Sequence, residues 1–152
     1  MSAQRFYVPT EIVQGVGCFA QLGTAARRYG ERALLVCGRQ AMRASGMLAR
    51  AQTLLQQAGV AVSVYDRVSG EPVLALVEEA LAQARAEQCH VIIGLGGGSA
   101  MDVAKAVAGL WPLPGSVAEY HAGRRLEGPG IPFIAVPTTA GTGAEVSNNA
   151  VL

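Results

Sequence analysis

Two glycine- and hydroxyl-rich segments contain the residue types that best suit the binding of a phosphate. The first, GLGGGSAMDVAKAVAG, starts at Gly94, and the second, PTTAGTGAEVSNNAVL, starts at Pro137. The consecutive glycines Gly96, Gly97 and Gly98 remove every Cβ where a pyrophosphate would approach the main chain. A following helix would direct unpaired N–H groups and the positive end of its dipole at the anion. The first segment therefore predicts a phosphate-bearing ligand.

The first segment departs from the common phosphate-binding fingerprints. Ser99 stands where the G-x-G-x-x-G pattern has its third glycine, and the segment is not a Walker loop. Ser99 and Asp102 instead fit the capping pattern S-x-x-D, which predicts that Ser99 caps the helix. A tight strand-to-helix turn with a good cap would explain the same residues without a ligand, so this alternative stays open on the motif alone.

The second segment has many hydroxyl groups for a loop that follows a buried strand. Thr138, Thr139 and Thr142 could donate hydrogen bonds to a phosphate, a ribose or a carboxamide. The same hydroxyl groups could instead satisfy backbone groups of their own loop. Both interpretations remain open for the threonines taken alone.

The segments between these motifs alternate between strand and helix patterns. Apolar runs predict four strands, which are ALLVCG from Ala33, VAVSVY from Val60, VIIGL from Val91 and IPFIAVP from Ile131. Helical spacing predicts helices over 18–29, 45–58 and 72–87, and another after the glycines. The remaining segments are an extended start over 5–14, a connection over 112–130 and a last strand over 146–152. This order predicts a layered α/β domain whose mostly parallel sheet is flanked by helices.

The candidate residues follow different strands but share one edge of the predicted sheet. Gly38 and Arg39 follow the first strand, the glycine turn follows the third, and Thr138 and Thr139 follow the fourth. Ligands of open parallel sheets bind beyond the carboxyl ends of the strands. We therefore expect these groups to converge on one crevice.

Length and composition exclude several classes of protein. The chain has 152 residues, a net charge of +1 and a pI of 7.8, which suit one domain with a real core. Its basic residues are scattered, which argues against a nucleic-acid surface. No apolar run reaches the ~18 residues of a membrane span and no signal peptide is visible, so we expect a cytoplasmic protein without a membrane contact. The odd number and wide spacing of Cys18, Cys37 and Cys89 predict buried, reduced thiols.

Taken together, GGGSAMDVAKAVA and PTTAGTGAEV resemble the iron-containing (group III) alcohol dehydrogenases. The segments RFYVPTEIVQGVG, RALLVCG and EPVLALVEEAL extend the resemblance over essentially the whole chain. The resemblance implies a Rossmann-like fold similar to the N-terminal half of dehydroquinate synthase. It also implies a metal-dependent oxidoreductase that transfers a hydride between NAD or NADP and a small alcohol or aldehyde.

The resemblance implies roles for residues of both motifs. The cofactor pyrophosphate would be held by Gly96, Gly97, Gly98 and Ser99, with Asp102 near the nicotinamide half. The adenosine and diphosphate side would be lined by Thr138, Thr139 and Thr142, and Glu71 takes a position near the adenine end. Lys105 could act as a counter-charge to phosphate, but a lysine on a helix surface is the commoner case, so we assign it no role.

The residues after the first strand bear on the choice between NAD and NADP. Members of this family that prefer NAD often have an acidic residue there, which accepts hydrogen bonds from the ribose 2′-OH. This chain has Gly38 followed by Arg39. A carboxylate would repel a 2′-phosphate, whereas an arginine would attract one. We therefore expect a preference for NADP, with Gly38 and Arg39 at the cofactor.

The family's metal ligands, an aspartate and three histidines, are expected on a helical C-terminal domain, and this chain ends at Leu152 before any of them. His90 and His121 are not at metal-ligand spacing, so we assign no metal ligand. We expect residues 1–152 to be an NAD(P)-binding domain, truncated near its C-terminal end. Iron or zinc would be bound only by the complete enzyme, and this chain alone would be inactive. The apolar surface left uncovered favours a partner or a homo-oligomer.

Three alternatives remain at the level of the sequence. A maleylacetate reductase or a glycerol dehydrogenase would share this architecture and differ in the missing domain. A stand-alone nucleotide-binding fragment would bind the cofactor without catalysis. A structural or interaction protein with the same glycine turn would bind no cofactor at all.

Overall fold

A four-stranded parallel sheet forms the centre of the fold. The computed structural model describes residues 10–152, so the first part of the predicted extended segment lies outside the described residues. The strands are β1 (Arg32–Gly38), β2 (Ala61–Val68), β3 (Val91–Gly96) and β4 (Phe133–Pro137). They lie in the order β2-β1-β3-β4, and every neighbouring pair is parallel. The predicted parallel sheet and its four central strands are confirmed.

Helices precede and connect the strands. A 3₁₀ turn, Cys18–Gln21, leads into α1 (Leu22–Arg27). The other helices are α2 (Ala41–Ala44), α3 (Met47–Gln57), α4 (Leu74–Ala86), α5 (Gly98–Leu110) and α6 (Val117–His121). Within residues 10–152, none of the helices is both long and apolar enough to cross a membrane.

The side chains of β1 alternate between two apolar cores, one on each face of the sheet. Leu34 and Val36 belong to the core that contains buried residues of α4 and α5. Leu35 and Cys37 belong to the core that contains buried residues of α1 and α3. A parallel sheet is stable when helices cover both of its faces. The three-layer α/β architecture expected from the sequence is therefore confirmed.

One predicted helix is confirmed and two short helices were not predicted. The helix predicted over 45–58 is α3, whose N-cap Gly46 has a φ of 75° and separates it from the short, unpredicted helix α2. The predicted connection over 112–130 contains a further helix, α6. Its start is stabilised by a capping box in which Ser116 and Glu119 satisfy each other's backbone N–H groups.

The strand predicted over 146–152 is absent. The amides of Val146 and Ser147 both donate to the carbonyl of Gly143, so the backbone turns where an extended segment was expected. The apolar residues of this segment predicted a strand, but a strand also requires a neighbouring strand to pair with.

Buried ionisable groups make the stability of the fold sensitive to alkaline pH. Cys37 and Cys89 are free, buried thiols as predicted, whereas Cys18 is half-buried. Burial raises the pKa of both Cys37 and Cys89 from 9.0 to about 11. Burial, together with a hydrogen bond to Glu79, raises the pKa of Tyr65 to about 12.

We expect the free energy of unfolding to fall as the pH rises from 9.0 towards about 11. The native state retains thiol protons that the unfolded chain releases in this range, so the unfolded state binds fewer protons and stability decreases with pH. Urea unfolding at several pH values measures the slope. The Cys37→Ala, Cys89→Ala double variant should show a smaller slope, and an unchanged slope would contradict this account.

Candidate functional site

A cleft at the carboxyl ends of the strands is the candidate site, with a volume of about 530 Å³. The ends of β1, β2 and β3 contribute Gly38, Val68 and Gly96, and the loop after β4 contributes Thr138 and Thr139. Parallel strands bring these residues to one edge of the sheet, although they are far apart in the sequence. The prediction that the motifs converge on one crevice is confirmed, since residues of all three line this cleft.

The glycine turn forms the junction of β3 and α5 at this edge. Gly96 ends β3 with a φ of 142°, Gly97 is the N-cap of α5, and no side chain caps the helix. The prediction that Ser99 is the cap was therefore wrong, because the helix already begins at Gly98. The first N–H groups of a helix have no intrahelical acceptor. Gly98, Ser99 and Ala100 thus present backbone donors at the cleft, which they line.

The threonine loop (residues 138–142) lies against this turn. The amide of Thr138 donates to the carbonyl of Gly96 at 2.8 Å, which continues the pairing of β3 and β4 beyond the strands. A Cβ at Gly97 would lie 3.4 Å from Thr139 Oγ1, and a Cβ at Gly98 would lie 3.1 Å from Thr142 Cγ2. A Cβ at Gly98 would therefore crowd the threonine loop, whereas a Cβ at Gly97 would be at the limit of ordinary van der Waals contact.

Seven of the ten residues predicted to bind a cofactor line the cleft. These residues are Gly38, Gly96, Gly97, Gly98, Ser99, Thr138 and Thr139. The cleft lining does not include Arg39, Asp102 or Thr142. Arg39 is exposed directly after β1, Thr142 packs on Gly98, and the Asp102 carboxylate lies 3.1 Å from Lys105 Nζ.

Sequence reasoning did not find the apolar wall of the cleft. Ala41 and Met42 of α2 contribute to this wall together with Val68 at the end of β2. The short helix α2 was not predicted, so its residues could not be placed. Alternation along β2 could not have indicated Val68, because an irregularity in the pairing with β1 between Tyr65 and Val68 leaves the two buried residues three positions apart. Glu71, with Gly70, completes the same side of the cleft.

The two histidines do not form a metal site in the described part of the chain. His90 precedes β3 at the opposite edge of the sheet, where its Nδ1 accepts a hydrogen bond from the amide of Glu31 at 3.0 Å. His121 is exposed at the end of α6. Across residues 10–152, no group of three or more His, Cys, Asp or Glu side chains could hold a metal ion. The donor set of these residues therefore does not fit iron or zinc.

Comparison with known proteins relates this cleft to a family. The family model for iron-containing alcohol dehydrogenases matches residues 9–152. The chain belongs to the iron-containing alcohol dehydrogenase family. Long-chain-alcohol dehydrogenase 1 of Geobacillus thermodenitrificans is 40% identical over 100% of this chain, which spans 39% of that relative's length.

Solved structures of the family agree with the fold. NADH-dependent butanol dehydrogenase A of Thermotoga maritima superposes with a TM-score of 0.91 at 30% identity, over 100% of this chain and 38% of that structure. Sulfoacetaldehyde reductase of Bifidobacterium kashiwanohense in complex with NAD⁺ gives a TM-score of 0.85 at 31% identity, over 97% of this chain and 39% of that structure. The chain thus spans about two fifths of these alcohol dehydrogenase relatives, as their N-terminal portion, and has their Rossmann-like fold.

The backbone of the glycine turn is the part of the site that a substitution should strain most. We expect Gly96→Ala to destabilise the fold by about 1–3 kcal/mol, because a φ of 142° is essentially restricted to glycine. Urea unfolding gives the difference. Gly109→Ala is the matched control on α5, since a Cβ there meets no atom within 4 Å and should stabilise the helix by about 0.5–1 kcal/mol. Equal effects of the two substitutions would contradict the proposed strain.

Proposed function

We propose that this chain is the NAD(P)-binding domain of a metal-dependent oxidoreductase that acts on a small alcohol or aldehyde. The observation that carries the proposal is the uncapped start of α5 at the cleft, beside three glycines. Unpaired N–H groups and the positive end of a helix dipole favour a pyrophosphate at this position. NAD(P), when bound, supplies a nicotinamide ring that accepts or donates a hydride.

Each side of the cleft suits a different part of the dinucleotide. The N–H groups of Gly98 and Ser99 would donate to the pyrophosphate, and Thr138 and Thr139 would add hydroxyl donors from the loop that packs against the turn. The apolar wall of Ala41, Met42 and Val68 would contact the faces of the adenine ring. Polar contacts on one side and apolar contacts on the other would orient the dinucleotide along the edge of the sheet.

Three residues predicted at the cofactor would act less directly. Thr142 would support the glycine turn through its contact with Gly98, and Arg39 would act on the cofactor through its charge at the edge of the cleft. Asp102 would approach the nicotinamide half only with the carboxylate oxygen that does not face Lys105. We infer that metal chemistry lies outside the described residues, since none of their clusters fits iron or zinc.

Titration with NADPH and with NADH, followed by nicotinamide fluorescence, tests binding by the 152-residue chain. We expect saturable binding without reduction of NADP when an alcohol and iron or zinc are added. Turnover by this chain alone would show that the assignment of the metal to other residues is wrong. Absence of binding by either nucleotide would refute the proposed function itself.

Filling the cleft at Gly97 should separate binding from folding. We expect Gly97→Val to weaken NADPH binding at least about tenfold, since the added carbons would occupy the approach of the phosphates. The backbone of Gly97 has a φ of −87°, which a valine can adopt, so the sheet should remain folded by circular dichroism. Gly109→Ala on the same helix should bind like the parent chain. Loss of binding in both variants would indicate a general effect on α5.

Two charges at the adenine side should decide the preference between the nucleotides, which we propose to favour NADP. Arg43 is paired with Asp66, whereas Arg39 has no ion-pair partner among residues 10–152 and is free to attract a 2′-phosphate. We expect Arg39→Asp to lower the NADPH-to-NADH affinity ratio by about three- to tenfold, a range typical of one partly screened charge contact.

Glu71→Gln should change the NADPH-to-NADH affinity ratio in the opposite direction. Glu71 lines the cleft and its carboxylate would repel a 2′-phosphate, so its neutralisation should raise the same affinity ratio. The ratio is obtained from paired fluorescence titrations at constant ionic strength. If neither variant changes the ratio, the proposed recognition of a 2′-phosphate by this edge of the cleft is wrong.

A further inference from the structure

Lys105 occupies an unusual position on α5 and is the only lysine in the chain. Its Nζ lies 2.8 Å from Ser147 Oγ, 2.5 Å from the carbonyl oxygen of Asn149 and 3.1 Å from Asp102 Oδ1. The side chains of Lys105 and Asp102 are only 11% and 14% exposed. Lys105 therefore is not a solvated surface lysine.

The contacts of Lys105 leave it no free hydrogen-bond donor for a phosphate. An ammonium group has three N–H donors and no acceptor. Ser147, Asn149 and Asp102 provide three acceptors within 3.1 Å, one for each donor. The Asp102 carboxylate also balances the positive charge. These contacts argue against a direct role for Lys105 as the counter-charge of the pyrophosphate.

A continuous series of contacts leads from Lys105 to the threonine loop. The amides of Val146 and Ser147 donate to the carbonyl of Gly143, so residues 143–147 form one compact turn. Within this turn, Ala144 is buried and its amide lies 3.5 Å from Thr142 Oγ1. Thr142 in turn packs against Gly98 at the start of α5. The position of Ser147 is thus linked to the wall of the cleft.

We propose that Lys105 is a positioning residue that fastens segment 143–149 to α5 and thereby holds the threonine loop over the glycine turn. The loop is attached at its other end by the hydrogen bond from Thr138 to Gly96. With both ends attached, Thr138 and Thr139 remain beside the phosphate-binding donors before any ligand arrives. The effect on nucleotide affinity rests on the proposed function, whereas the attachment of the segment does not.

The side-chain chemistry explains why a lysine suits this position. The ammonium group directs its three donors tetrahedrally and can reach acceptors on the helix, on a side chain and on a carbonyl at once. An arginine presents its donors in a planar fork that matches carboxylates and phosphates instead. The other residues counted as Lys or Arg in this chain are all arginines. We therefore expect Lys105→Arg to replace the parent residue poorly.

Hydrogen exchange of the nucleotide-free chain tests the attachment. We expect Lys105→Met to accelerate amide exchange in residues 138–149 by about tenfold. The variant lacks the contacts of Lys105, so local opening of this segment costs less free energy. Exchange in the interior of α5 should stay unchanged. Arg27→Met is the control for loss of one positive charge, since Arg27 is exposed and pairs with Glu31 away from the cleft. Unchanged exchange in residues 138–149 would overturn the proposal.

Nucleotide titrations distinguish a positioning role from a merely structural one. We expect Lys105→Met to weaken NADPH binding by about five- to tenfold at a temperature where both proteins are fully folded, because the loop must then be ordered on binding. Faster exchange with unchanged affinity would overturn the positioning role. Weaker affinity with unchanged exchange would instead indicate direct contact between Lys105 and the phosphates, which also overturns it.

A milder substitution keeps the test valid if Lys105→Met folds poorly. Ser147→Ala removes one of the three acceptors and should accelerate exchange in the same segment by about two- to threefold. Failure of the parent chain to bind NADPH would refute the proposed function, and the exchange results would still decide whether Lys105 attaches the segment. The two failures are therefore distinguishable.

Discussion

The backbone donors at the start of α5 are the feature on which the site depends. Their acceptors must come from outside the helix, since neither the helix nor a capping side chain satisfies them. They lie at the carboxyl edge of β3, in the middle of a sheet whose other strands end beside them. An anionic ligand at this position would meet preformed donors without distorting the fold. The residues around the turn keep these donors accessible.

Several features of the fold leave the donors at the start of α5 accessible. Gly97 and Gly98 face the threonine loop, which packs closely on the turn from one side. The helix α2 and the end of β2 form the apolar wall on the other side. Lys105 connects the far end of the loop to the same helix that supplies the donors. The cleft is thus built from the ends of elements whose positions are determined by the two apolar cores.

The cleft and the two histidines lie apart in the described residues. The cleft, with its backbone donors, lies at the carboxyl ends of the strands, whereas His90 lies at the other edge of the sheet and His121 is exposed. The relatives to which the chain is similar are more than twice as long. Among the described residues, backbone donors line the cleft, and no cluster of side chains fits iron or zinc.

Local interactions account for the features that sequence reasoning predicted correctly. Apolar runs identified β1, β2, β3 and β4, because strands of a parallel sheet that is covered on both faces are rich in apolar residues. The glycine turn was identified because only glycine allows so close an approach of other groups to the backbone. Errors occurred in short segments, whose conformation depends on the contacts they make in the folded chain. The short helices α2 and α6 were not predicted, and residues 146–152 form no strand.

The amino-acid sequence by itself determined the order of the elements, the parallel sheet and the position of the glycine turn between β3 and α5. Only the tertiary structure decided which side chains face the cleft. Ser99 proved to lie inside the helix, Asp102 proved to pair with Lys105, and Lys105 proved to contact Ser147. The physical reason is that a side chain is directed by the groups that surround it in the fold, and one partner of Lys105, Ser147, is 42 positions away in the sequence. Local pattern carries no information about such contacts.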